Sequence, residues 1–175
     1  MTWTPPFTWQ DYPSTASPLS AANLIAQLAS LASYADTVAA GGTELANGYV
    51  QGTSSFSLAN TTVVTDITGM SVTVTTTTSP IIVEFFAPSV STNVGGFGSG
   101  VLFNVDGTDK GPAAALVSGS QFVPMIAKQR LSLSAGSHTI KARAANNVNT
   151  GTLTIAAGNG TYPNNVPMYL RVCRA

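Results

Sequence analysis

The chain has 175 residues, seven Lys or Arg against seven Asp or Glu, and 8% charged residues against roughly 25% in an ordinary soluble domain. Small neutral side chains replace the charges (23 Thr, 23 Ala, 18 Ser and 16 Gly), beside 44% hydrophobic residues. Zero net charge argues against a nucleic-acid or polybasic membrane-surface binder, one Cys excludes an internal disulfide framework, and one His excludes a histidine-rich metal site within one chain.

Residues 1–16 are rich in proline and aromatics, with both tryptophans of the chain among them. Proline runs disfavour helix, so this segment is expected to be an extended arm. Trp3, Phe7, Trp9 and Tyr12 are the candidate anchors for docking into a partner, since aromatics dominate interface energetics. Packing on its own domain is the alternative. Neither a basic region nor an apolar run opens the chain, so no secretory signal is expected, and assembly in a cytoplasm is the expected setting.

Residues 17–42 are expected to be an oligomerisation helix and its stop. Ser17 is a good N-cap, Pro18 suits the first helical position, and Gly41-Gly42 ends the run. Ala21, Leu24, Leu28, Leu31, Ala35 and Val38 follow a 3-4-3-4-3 spacing, the seam of a coiled coil. That stripe must be buried, either on the β-domain or against copies of itself on a symmetry axis. The uncharged stretch from Tyr12 to Ala35 holds too many polar groups for a bilayer span.

Residues 43–175 read as all-β. Ser71–Thr75 alternates, and Pro80–Phe86 is a stronger apolar run expected to be central. Further expected strands are Tyr49–Leu58, Thr61–Ile67, Val101–Val105, Gln121–Ile126, Gln129–Ser134, His138–Ala144, Thr152–Ala156 and Met168–Cys173. Turn signals fall at Thr68-Gly69, Asp106-Gly107, Ala135-Gly136, Asn146-Asn147 and Gly158-Asn159-Gly160. Eight to ten short strands at this spacing predict an antiparallel sandwich or jelly roll. Residues 1–105 carry five acids and no Lys or Arg, while all seven cations lie beyond, a weak hint of complementary contacts between subunits.

No catalytic constellation is legible. Gly95–Gly100 lacks the lysine and spacing of a phosphate loop and the spacing of a nucleophile elbow. Asp106-Gly107-Thr108-Asp109 reads as a hairpin turn, with too few carboxylates for a calcium loop. His138 falls in phase with Ile140, Ala142 and Ala144 and reads as a hydrogen-bonded structural residue able to bond across the preceding turn. Glu84 could be a general acid with a raised pKa, but pairing with an arginine at a subunit contact, or exposure, fits its setting better. No catalytic residue, cofactor or metal is expected, and neither is a nucleic-acid or membrane partner.

Trp9 followed by Pro18-Leu19-Ser20-Ala21-Ala22-Asn23-Leu24-Ile25 resembles a segment common in small tailed-bacteriophage virion proteins. Val105-Asp106-Gly107-Thr108, Leu133–Lys141, Gly151–Ile155 and Tyr169–Val172 resemble a phage jelly-roll domain with the pattern V-D-G, L-x-A-G-x-H-T, G-T-x-T and L-x-V. The resemblance implies a mainly β, C1q/TNF-like antiparallel jelly roll behind an arm and one helix, forming a homotrimer. It implies a non-enzymatic virion protein, a capsid decoration (head fibre or cement) or minor tail protein, with phage capsid or tail proteins as partners. Strand faces around Phe85, Phe86 and Met125 are expected to be covered by three-fold partners. In the receptor-binding alternative, Tyr49, Phe97, Asn147 and Tyr162 would contact a host surface glycan from the loops.

Overall fold

In the computed structural model, residues 25–32, 42–93, 98–117, 122–158 and 166–175 are described. The chain divides into two units, Met1–Gly41 and Gly42–Ala175. In the first, 25–32 is helical (α1), and its seam residues Leu28 and Leu31 are exposed, as is Ile25. The seam residues Ala21, Leu24, Ala35 and Val38, and the arm residues Trp3, Phe7, Trp9 and Tyr12, lie outside the described residues.

The described residues of the second unit form ten strands in an antiparallel sandwich of jelly-roll type: β1 Glu44–Gly52, β2 Phe56–Ala59, β3 Thr65–Thr76, β4 Ile81–Thr92, β5 Gly98–Val105, β6 Thr108–Val117, β7 Val123–Leu131, β8 Gly136–Asn146, β9 Thr152–Ala156 and β10 Met168–Arg174. One sheet runs β1-β10-β4-β9-β2, with β7 also on β4; the other runs β3-β8-β5-β6. β4 is the spine of the larger sheet. Ile81–Phe86 pair with β10 and Ser89–Thr92 with β9 along one edge, while β7 follows the other.

Alternation along each strand sends one set of side chains inward. Val83, Phe85, Ala87, Leu153, Ile155, Leu170 and Val172 come from the larger sheet and Val74, Val101, Phe103, Ile140, Ala142 and Ala144 from the smaller, all at 1% exposure or less. These residues build one core between the sheets.

The structure redraws several expected boundaries. Thr61–Ile67 and Ser71–Thr75 do not form separate strands across a Thr68-Gly69 turn. The strand β3 runs through, with its register against β8 slipping between Asp66 and Ser71 around Gly69 at φ +79°. Such a bulge takes up extra residues without ending the strand, and Ile67 and Met70 both remain inside. Gln121–Ile126 and Gln129–Ser134 likewise merge, into β7. Tyr49–Leu58 instead splits into β1 and β2, which pair with β10 and β9. β6 was not anticipated, because Gly111-Pro112 reads as a break. An edge strand accommodates both: Gly111 takes φ +87° beside an irregular register, and proline costs no ladder bond on an open edge.

Candidate interaction face

The outer face of the larger sheet is organised in rows by its register. Tyr49 of β1 stands opposite Arg171 of β10, Arg171 opposite Glu84 of β4, and Glu84 opposite Lys128 of β7. The adjacent row runs Gln51, Tyr169, Phe86 and Ile126. One row is charged and the other is largely apolar.

The charged row pairs largely within the chain, although the buried Arg171 Nε has no hydrogen-bond partner. Glu84 Oε1 accepts from the Tyr169 hydroxyl at 2.8 Å and from Arg171 Nη2 at 3.0 Å, while Lys128 Nζ lies 3.5 Å from Oε2. Burial pushes the Glu84 carboxyl up, but the Tyr169 hydroxyl, Arg171 and Lys128 outweigh it and hold it below the usual carboxylate value. The raised-pKa general acid considered from sequence is therefore not formed. Its arginine partner comes from the neighbouring strand of the same chain. Burial, and then Glu84, raise the Tyr169 phenol, keeping it a donor.

The apolar row is continuous. Tyr169 stacks on Phe86 with ring centroids 5.3 Å apart and meets Tyr49 at 5.9 Å, and the Arg171 guanidinium lies 5.8 Å from the Tyr169 centroid. Ile126 is 64% exposed, and Phe122, just ahead of β7, is 65% exposed. Phe85 and Met125, expected on this surface, point into the core instead and are buried. The largely apolar run Ile81–Phe86 hides the alternation that separates Phe85 from Phe86. Glu84 marks it, since an acid two residues from Phe86 places both outside.

Of the residues proposed for glycan contact, the two that are described, Tyr49 and Asn147, are placed by different sheets. Tyr49 belongs to the larger sheet, with its hydroxyl on Gln51 Oε1 at 3.1 Å. Asn147 follows β8 of the smaller sheet, where its Oδ1 accepts from the Gly98 amide at 3.1 Å. Phe97 and Tyr162 lie outside the described residues. Asn147 borders a shallow, mostly apolar groove of about 310 Å³ with Gly98, Gly100, Leu102, Pro112 and Ala114.

A second polar cluster ties the outer face of the smaller sheet together. Arg143 on β8 donates from Nε to Asp66 on β3 at 2.8 Å and from Nη1 to both oxygens of Asp109 on β6 at 2.8 and 2.9 Å. Its Nη2 donates to the Val64 carbonyl at 2.8 Å, and Lys141 reaches Asp66 at 2.7 Å. The Asp106-Gly107 turn forms as expected, with both residues at positive φ. His138 meets a carboxylate and a carbonyl, Asp106 and Ser134, and not a hydroxyl. Cys173 is a buried free thiol whose pKa burial raises. Among the described residues, no group of His, Cys, Asp or Glu could hold a metal, and no helix is long and apolar enough to cross a membrane.

No protein-family model matches the chain, and no curated protein matches it. Among solved structures, the chain is similar to the C-terminal domain of EclA, described as a sugar-binding protein (13% identity, 59% of this chain, 75% of that one, TM-score 0.36). It is also similar to the structure of infectious bursal disease virus, Gx strain (16%, 72%, 35%, 0.38). A third is the carbohydrate-binding module CBM6cm-2 of Cellvibrio mixtus lichenase 5A, in complex with cellotriose (15%, 78%, 98%, 0.34). Likenesses this slight carry no argument about function.

Proposed function

We propose that this chain is a non-enzymatic structural protein of a bacteriophage virion, a homotrimer closed through the outer face of the β1-β10-β4-β7 sheet. The observation that carries the reading is the apolar row of half-buried Tyr169 and Phe86 running into exposed Ile126, with exposed Tyr49 and Phe122 beside it, across four strands. An exposed apolar patch rimmed by polar groups marks an association surface. Glu84 is neutralised by its own chain, so covering this face leaves no bare carboxylate. Copies of the same chain are the simplest occupant, because a chain with so few charges gains solubility when its apolar faces are covered by each other.

The virion setting rests on the sequence resemblance. Residues 1–16, through Trp3, Phe7, Trp9 and Tyr12, dock the trimer onto capsid or tail proteins, and Leu28 and Leu31 meet their copies on the axis. Sedimentation of the full chain tests the assembly: a trimer is expected, and a clean monomer at micromolar concentration overturns it. Deleting residues 2–16 is expected to leave the trimer folded and abolish its incorporation into particles.

The groove beside Asn147 favours one second reading, a minor tail protein or tail tip whose smaller sheet grips a host surface glycan. Purified protein that binds host cells and blocks infection, and loses both with Asn147→Ala, supports this reading over decoration; failure to bind removes it.

A further inference from the structure

His138 closes one end of the sandwich. It stands on β8 in phase with buried Ile140, and its side chain is only 11% exposed. Nδ1 lies 2.6 Å from Asp106 Oδ2 in the β5–β6 turn, and Nε2 lies 3.0 Å from the Ser134 carbonyl in the β7–β8 loop. An ionised carboxylate and a carbonyl can only accept, whereas a neutral imidazole has one N–H and one lone pair. Only the imidazolium satisfies both contacts.

We propose that His138 is a proton-controlled latch that fixes the β7–β8 loop at Ser134 when charged and releases it when neutral. The surroundings decide which contact gives way. Asp106 is anchored independently of the ring: its Oδ1 accepts from the Thr139 amide at 2.8 Å, and its own amide donates to the Thr139 carbonyl at 3.0 Å. A ring that loses one proton keeps the N–H facing the carboxylate, the stronger, charge-assisted bond. Its Nε2 lone pair then confronts the Ser134 carbonyl. From β3, the Thr76 hydroxyl donates to that carbonyl at 2.7 Å, with the Gly136 carbonyl farther at 3.3 Å, so the ring is one of two ties on Ser134 and its loss leaves Thr76 alone to hold the loop there.

Asp106 and, from β6, Lys110 are the charged groups that act on the ring. The Asp106 hydrogen bond, and then the Ser134 carbonyl, raise the histidine above its ordinary value of 6.5, against burial and the Lys110 charge. The latch is therefore shut below that ordinary value and opens as pH rises through the raised one.

Long-range proton–nitrogen spectra of the full chain, titrated from mildly acidic to alkaline pH, test this. The expected result has three parts: a His138 midpoint above the ordinary histidine value, a neutral form carrying its proton on Nδ1, and amides of residues 134–137 that shift with the same midpoint and gain fast motion above it. Asp106→Asn keeps Oδ1 for the Thr139 amide and turns an NH2 donor toward Nδ1, so the midpoint should fall and the neutral ring, now protonated on Nε2, should keep its bond to Ser134 and leave the loop held at high pH. A midpoint at or below the ordinary value, a neutral form protonated on Nε2, or loop resonances indifferent to the titration overturns the proposal. The unaltered chain alone decides these points if the variant does not fold.

Discussion

Tyr169 and Phe86 stack on the outer face of the larger sheet, rings 5.3 Å apart and inclined by 26°, because β10 and β4 place them directly opposite each other. One residue back, Phe85 is fully buried. Adjacent phenylalanines thus have different tasks, one in the core and one on the proposed interface.

Phe85→Ala should cost about 3–5 kcal/mol of stability, the usual range for truncating a buried aromatic. Ile126→Glu changes a side chain that is 64% exposed, so the isolated subunit should keep its stability within about 0.5 kcal/mol. A carboxylate there would be desolvated in the proposed interface, so the assembly should fall to monomers. Denaturant melts and sedimentation of both variants separate the effects. A stable, fully trimeric Ile126→Glu protein removes this face from the interface.

Glu84→Gln should destabilise the subunit by about 1.5–3 kcal/mol, the range for hydrogen bonds to a charged group, since Tyr169 and Arg171 lose their shared acceptor charge. The sign of the pH dependence follows from the lowered carboxyl. With a folded value below the ordinary 4.5, the contribution is present above that ordinary value and is lost as pH falls through the folded one. Acid melts of the two proteins should therefore converge. A difference that persists unchanged into strong acid would count against the ion pair as its source.

Gly48 is required by close approach. A β-carbon there would lie 2.7 Å from the Val172 carbonyl oxygen and 2.8 Å from that of Leu45, both backbone atoms. Gly48→Ala should therefore push β1 off β10 and cost roughly 1–3 kcal/mol, as overpacking does. It should also disturb the Tyr49–Arg171 register next to it, weakening assembly beyond the loss of stability. Calorimetry showing an unchanged melting temperature would contradict the contact.

The alternation of Ser71–Thr75, the strand Thr152–Ala156, the Asp106-Gly107 turn and the phase of His138 were legible because each is a local pattern. β6 was hidden by Gly111-Pro112, whose meaning depends on the strand lying at an edge, a fact of topology. The aromatic row was hidden for a related reason. Tyr49, Phe86, Ile126 and Tyr169 lie far apart in the chain, and only the pairing of four strands brings them onto one surface. The charge asymmetry along the chain resolves in part within one subunit: Asp66 and Glu84 from the acidic half meet Lys141, Arg143, Lys128 and Arg171 from the basic half.

Arg143 is the centre of the second of these networks, and its fork reaches Asp66 on β3 and Asp109 on β6 from the strand β8. A lysine can place one charge there but cannot serve both carboxylates and the Val64 carbonyl in fixed directions. Arg143→Lys should therefore cost about 0.5–1 kcal/mol, the range for an ion-pair network whose carboxylates stay in water. Hydrogen bonding from Lys141, and then Arg143, lowers Asp66 against burial; that from Asn104, and then Arg143, lowers Asp109. Both carboxylates thus stabilise the fold above their ordinary value of 3.8, and the contribution disappears as pH falls through their lowered values. Carboxyl-carbon titrations should show both midpoints moving back up in Arg143→Lys, with Asp66 still partly held by Lys141. If both midpoints stay where they are, Arg143 does not join the two strands.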